Sequence, residues 1–149
     1  MEKSIVHKWS LPHPPEQVWE YLTRADLLGK WLMENDFKPV TGHKFRFTTK
    51  PKFNFGFDGI VYCEVTQVKP YTKLSYTWCG GPGNGQINLN SVVTWTLTPT
   101  SGGTELLLEH TGFKGFKNYF GYLAMNAGWK TKIFNRLLSL MTSNKINAA

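Results

Sequence analysis

Apolar and polar residues alternate with a period of two over residues 3–11, where Ile5, His7, Trp9 and Leu11 share one face and Val6, Lys8 and Ser10 the other. That alternation predicts a first strand. Pro12, Pro14 and Pro15 stop it and suit the first turn of a short helix over residues 16–22, with Val18, Trp19 and Leu22 inward. Thr23-Arg24-Ala25-Asp26 has the spacing of a capping box and predicts a second short helix reaching about Lys30. From residue 42 to 57 the alternation is aromatic: Phe45 and Phe47 take one side, Lys44 and Arg46 the other, and Phe53, Phe55 and Phe57 keep the parity past Pro51 and Gly56. Residues 57–68, 73–78, 91–98 and 104–111 alternate in the same way. Their inner faces carry Val61, Cys63 and Val65, then Leu74, Tyr76 and Trp78, then Val93, Trp95 and Leu97, then Leu106, Leu108 and His110. Turn residues at 69–72 and 100–103, and a glycine-rich stretch at 79–86 read as a mobile loop, join them into an antiparallel meander.

The period changes near the C-terminus. From residue 117 to 142 the spacing is helical, and Tyr122, Leu123, Trp129, Ile133, Phe134, Leu137, Leu140 and Met141 form one broad apolar face. Gly121 and Gly128 fall opposite it, whereas Asn126 and Lys130 fall within it. One strand, two short helices, several antiparallel strands and a long helix predict an α+β fold in which a curved sheet grips the C-terminal helix.

Composition narrows the class. A chain of 149 residues with 41% hydrophobic and 18% charged residues is expected to be one folded domain over 1–149. No apolar run is long enough to span a membrane, and the N-terminus has no apolar core of a secretory signal. With only Cys63 and Cys79, no disulfide framework is expected, and the expected location is cytoplasmic with reduced thiols. The net charge of +7 favours anionic partners without bearing on the fold.

Candidate chemistry is sparse. His7, His13, His43 and His110 lack metal-ligand spacing, so no metal and no cofactor are expected. Gly80-Gly81-Pro82-Gly83-Asn84-Gly85 lacks the Lys-Ser/Thr and the helix of a phosphate-binding loop. Asn54-Phe55-Gly56-Phe57 with nearby lysines is a faint echo of an RNA-binding strand, but the order of elements is wrong, and no nucleic acid partner is expected. Glu109 and His110 are adjacent on a strand and therefore point to opposite faces, leaving His110 alone among apolar neighbours. It reads as a core histidine or as a polar contact for a ligand. No catalytic residue is assigned.

Several stretches resemble the activator of heat shock protein 90 ATPase homologue 1-like family, within the START-like (SRPBCC, helix-grip) superfamily. Pro15-Glu16-Gln17-Val18-Trp19 followed by Leu27-Leu28-Gly29-Lys30-Trp31 is similar to its opening signature. Gly59-Ile60-Val61, Glu64-Val65, Pro70 and Leu74-Ser75-Tyr76-Thr77-Trp78 resemble its central hairpin. The run from Gly103 to Phe113 resembles its last strand, and Gly128-Trp129 matches a Gly-Trp pair in its final helix. The chain departs from the pattern at Gly42-His43, where the family often has Gly-Gly.

The resemblance implies a helix-grip fold with a cavity between sheet and long helix. The expected function is binding of a small hydrophobic or amphipathic ligand there, without catalysis. The alternatives are a co-chaperone or stress-response module that binds a chaperone or other protein, and a cyclase or aromatase-type enzyme. The expected ligand-contacting residues are Trp31, Phe45, Phe47, Phe57, Val61, Tyr76, Trp78, Val93, Trp95, Leu108, His110, Leu123, Asn126, Lys130 and Phe134. Asn126, Lys130 and His110 are the candidates for a ligand's polar headgroup.

Overall fold

In the computed structural model, residues 2–50, 57–114 and 119–148 are described. Strand β1 (Glu2–Leu11) leads into helices α1 (Pro15–Thr23) and α2 (Ala25–Trp31) and a two-residue strand β2 (Glu34–Asn35). Strands β3 (Lys44–Thr48), β4 (Ile60–Lys69), β5 (Lys73–Gly80), β6 (Leu89–Thr100) and β7 (Gly103–Lys114) follow. The C-terminal helical stretch consists of α3 (Tyr119–Ala127), a π-helical segment (Gly128–Ile133) and α4 (Phe134–Ala148). All strands join one antiparallel sheet in the order β1-β7-β6-β5-β4-β3-β2. The meander is therefore flanked by the first strand, which pairs with the last from Leu11↔Thr104 to Glu2↔Lys114.

The period-two reading assigns the inner face correctly. Ile5, Phe45, Phe47, Val61, Val65, Leu74, Tyr76, Trp78, Val93, Trp95, Leu106 and Leu108 are all buried in one core. Bulges between Lys3 and Ser4 and between Val65 and Gln67 break the register, and such bulges bend and twist a sheet. Glu64, Glu105 and Glu109 keep to the outer face, half-exposed. Helix α1 buries Val18, Trp19, Tyr21 and Leu22, and α2 buries Leu27, Leu28 and Trp31 and packs beside α4.

Three local expectations are revised, and one strand is added. The hydroxyl of Thr23 does not cap α2; it is buried at the end of α1 and donates to the Trp19 carbonyl at 2.7 Å. Arg24 takes the cap position, and Asp26 pairs with its guanidinium at 2.7 Å. The glycine-rich stretch begins inside the sheet: β5 runs through Cys79 and Gly80, Asn88 N–H donates to Gly80 O at 2.9 Å, and Asp58 N–H donates to Gly81 O at 2.9 Å. A Cβ on Gly81 would collide with the Gln86 carbonyl oxygen. Strand β2 is too short to leave a periodic signal. The helix extends to Ala148 rather than stopping near residue 142, and its π-helical segment changes its phase. The expected parity of Phe53 and Phe55, and the helix onset at residue 117, lie outside the described residues.

Candidate functional site

The inner face of the sheet is an aromatic wall. Phe45 sits edge-on to Phe47 and Tyr76 at centroid distances of 5.3 and 5.4 Å, and Phe47 meets Trp78 at 5.3 Å. Trp78 and Trp95 each reach Trp129 of the π-helical segment, at 5.7 and 5.5 Å, and Trp31 meets Trp95 edge-on at 6.0 Å. These offset and edge-to-face contacts are the favoured arrangements of quadrupolar rings. The centre of the grip is thus filled by its own rings, which touch one another.

Buried polar atoms on this wall are satisfied from within. Trp31 Nε1–H donates to Tyr21 O at 2.9 Å, and Trp95 Nε1–H donates to the Tyr76 hydroxyl at 3.0 Å. Burial raises the Tyr76 phenol above its ordinary value, and it likewise raises the Cys63 thiol. His110 is fully buried. Trp129 Nε1–H donates to its Nδ1 at 3.1 Å, which makes Nδ1 the acceptor and places the imidazole proton on Nε2. Nε2–H then donates to Ser91 Oγ at 2.8 Å, and Ser91 donates to the Trp78 carbonyl at 2.6 Å. The relay leaves no ring nitrogen over, and burial pushes the His110 pKa down to about 3.

The rim differs from the centre. Gly80 and Leu89 pair where β5 ends and β6 begins, and the half-buried Phe57 ring lies over Gly80, whose missing side chain makes room for it. Phe57, Leu89, Met125, Ile133 and Phe134 pack on the core while partly exposed. At the β1 edge, His7 Nε2–H donates to Asn126 Oδ1 at 2.8 Å, bonding α3 to the sheet. His7 stacks on Trp9 at 5.7 Å, and Trp9 stacks on Phe134 at 4.7 Å with the planes 5° apart.

The structure therefore sorts the expected site residues into three groups. Trp31, Phe45, Phe47, Val61, Tyr76, Trp78, Val93, Trp95, Leu108 and His110 converge on the buried wall. Phe57, Asn126 and Phe134 lie on the rim. Leu123, 44% exposed, and Lys130, also exposed, are not brought to the wall. A wheel at 100° per residue places both inward, but the wider π-helical turn between Gly128 and Ile133 shifts the phase across that stretch. Sequence reasoning missed Ser91, Trp129, Trp9 and His7 as members of the site. The signal for Ser91 was a hydroxyl at an inward parity position of β6, in line with Val93 and Trp95. Among the described residues, no three metal-ligating side chains cluster and no helix is long and apolar enough to cross a membrane.

Comparison with known proteins places this geometry. Residues 12–142 match the family described as activator of Hsp90 ATPase homolog 1-like protein. The crystal structure of protein MLL2253 from Mesorhizobium loti is 38% identical, covers 95% of this chain and 98% of its own, and superimposes with a TM-score of 0.83. The solution structure of Bacillus halodurans protein BH1534 is 29% identical over 93% of this chain and 96% of its own, with a TM-score of 0.72. DynU16, described as a putative protein in the dynemicin biosynthetic locus, shares the fold at 23% identity, covering 95% of this chain and 48% of its own with a TM-score of 0.74. No curated protein matches the chain.

Proposed function

The chain belongs to the activator of Hsp90 ATPase homolog 1-like family, and we propose that it binds a small hydrophobic or amphipathic molecule between its sheet and its C-terminal helices, without transforming it. The observation that carries this reading is the contrast between a filled aromatic wall and an apolar rim left half-exposed at Phe57, Leu89, Met125, Ile133 and Phe134. Apolar rim surface beside a desolvated core offers a ligand roughly 25 cal/mol for each Å² removed from water, before the entropic cost of association. The His7–Asn126 pair at the β1 edge offers polar groups that orient a headgroup. In this proposal Phe57, Asn126 and Phe134 contact the ligand directly. Trp78, Trp95, Val61, Val93 and Leu108 form the floor, and Trp31, Phe45, Phe47 and Tyr76 hold that floor in place.

Binding is favoured over acid–base chemistry because the buried histidine and tyrosine of the wall are engaged within the chain. His110 is neutral near pH 7 with both nitrogens bonded, and Tyr76 receives the Trp95 N–H. Native mass spectrometry of gently purified protein is the test. The expected result is a discrete extra mass, lost on denaturation, whose retention falls in Phe57→Ser. A clean apo mass that persists after incubation with lipid and metabolite extracts overturns the proposal and favours a protein-binding role.

A further inference from the structure

On the outer side of the C-terminal helix lies a second feature, separate from the grip. Helix α2 runs beside α4, and between them opens a groove of about 660 Å³ lined by Lys30, Lys132, Arg136, Ser139, Leu140 and Ser143 among others. Arg136, Ser139 and Ser143 are spaced by three and four residues, which aligns them on one face of α4, and Lys132 joins them from the π-helical segment. The buried residues of α4, Leu137 and Met141, belong to its other face. Lys30 adds a third cation from the last turn of α2.

Three properties define what fits there. Among the described residues, none of those lining the groove is acidic, and none of its three cations makes an ion pair. Two exposed cations elsewhere pair with acids: Lys8 reaches Glu105 at 3.9 Å, and Arg24 reaches Asp26. The groove is open and elongated rather than closed. From Lys132 to Ser143 it follows roughly 16 Å of helix, the length of about five residues of extended chain. The hydroxyls of Ser139 and Ser143 continue the row beyond Lys132 and Arg136, suited to carboxylates and peptide carbonyls, and Leu140 supplies a small apolar contact.

We propose that this groove docks an acidic, extended peptide segment of a protein partner. Carboxylates on successive residues meet Lys30, Lys132 and Arg136, while Ser139 and Ser143 take backbone or side-chain hydrogen bonds. The molecule's net charge of +7 steers such a segment toward it. The site lies outside the grip, so it stands whether or not the grip holds a ligand.

The test uses the full chain and a fluorescein-labelled hexaglutamate peptide, read by anisotropy at low ionic strength. Saturable binding that weakens with salt is expected, falling about tenfold in Lys132→Glu/Arg136→Glu and in the same direction in Lys30→Glu. A control, Lys38→Glu/Lys44→Glu, makes the same charge change at exposed positions outside the groove and is expected to keep most of the affinity. Circular dichroism checks that each variant is folded. No binding, or equal losses in groove and control variants, overturns the proposal. So does tighter binding of an oligothymidylate of equal charge through the same residues, which makes the partner a nucleic acid. Displacement of the peptide by millimolar inorganic phosphate also overturns it, reducing the groove to a small-anion site.

Discussion

His110 shows how one residue's surroundings decide its role. An imidazole without a partner in this wall would be strongly destabilising, yet Trp129, Ser91 and the Trp78 carbonyl together satisfy it. Replacing it with alanine leaves a cavity and strands the Trp129 N–H and a hydroxyl lone pair. The expected cost is about 2–4 kcal/mol, read as a lower urea midpoint at unchanged slope. The depressed pKa makes a second prediction. The folded protein keeps His110 neutral down to about pH 3, while the unfolded chain takes up the proton near the ordinary value of 6.5. The unfolded state therefore binds more protons between those values. His110's contribution is fully present above pH 6.5 and is lost as pH falls toward 3, by about 1.4 kcal/mol per pH unit. Its ring NMR signals should stay fixed from about pH 8 to pH 4 in the folded protein; titration near pH 6.5 would show that the relay is not closed. The inward position of His110 was legible from strand parity. Its partners were not, because Ser91 and Trp129 lie 19 residues away on either side and meet it only through the sheet and the closing helix.

Elements with a strict period were the most readable. Strand parity holds from β3 to β7 because each strand buries one face, so a slip of one residue would turn its whole apolar set to solvent. The helical wheel failed where the helix stopped being an α-helix. Through Gly128–Ile133 the backbone turns more slowly, and Trp129 is buried while Lys130 is exposed. A regular-helix wheel cannot register that change. Gly128 opens this segment with helical neighbours on both sides. A Cβ there would meet its nearest neighbour, Ile133 Cδ1, at 3.7 Å, an ordinary contact. Gly128→Ala is therefore expected to stabilise the protein by about 0.5–1 kcal/mol, because alanine loses less backbone freedom on folding. A fall in thermal midpoint instead would mean that the π-helical turn needs glycine's freedom.

At the scale of the whole molecule, the architecture depends on its two ends meeting. The meander from β3 to β7 is local in sequence and was legible from turns and alternation. The pairing of β1 with β7, and the pinning of α3 to β1 through His7 and Asn126, join residues more than ninety positions apart and leave no local signal. Strand β1 contributes Ile5 and Leu11 to the core and Trp9 to the stack on Phe134. It also covers the backbone edge of β7 along its length, from Thr104 to Lys114. Removing residues 1–11 is therefore expected to do more than delete two core side chains. It would bare a twelve-residue edge strand and free α3 from its hydrogen bond to the sheet, and a long unpaired edge is a template for association. The truncated chain should lose cooperative thermal unfolding and elute from size exclusion as a broad, early peak. Supplying residues 1–11 as a separate peptide should restore a sharp peak at the full chain's elution volume only if Ile5 and Leu11 are intact, since the register that pairs Ile5 with His110 also turns both side chains into the core. A cooperatively folded truncation that elutes like the full chain would show that the six remaining strands and the helices form the core without this closure.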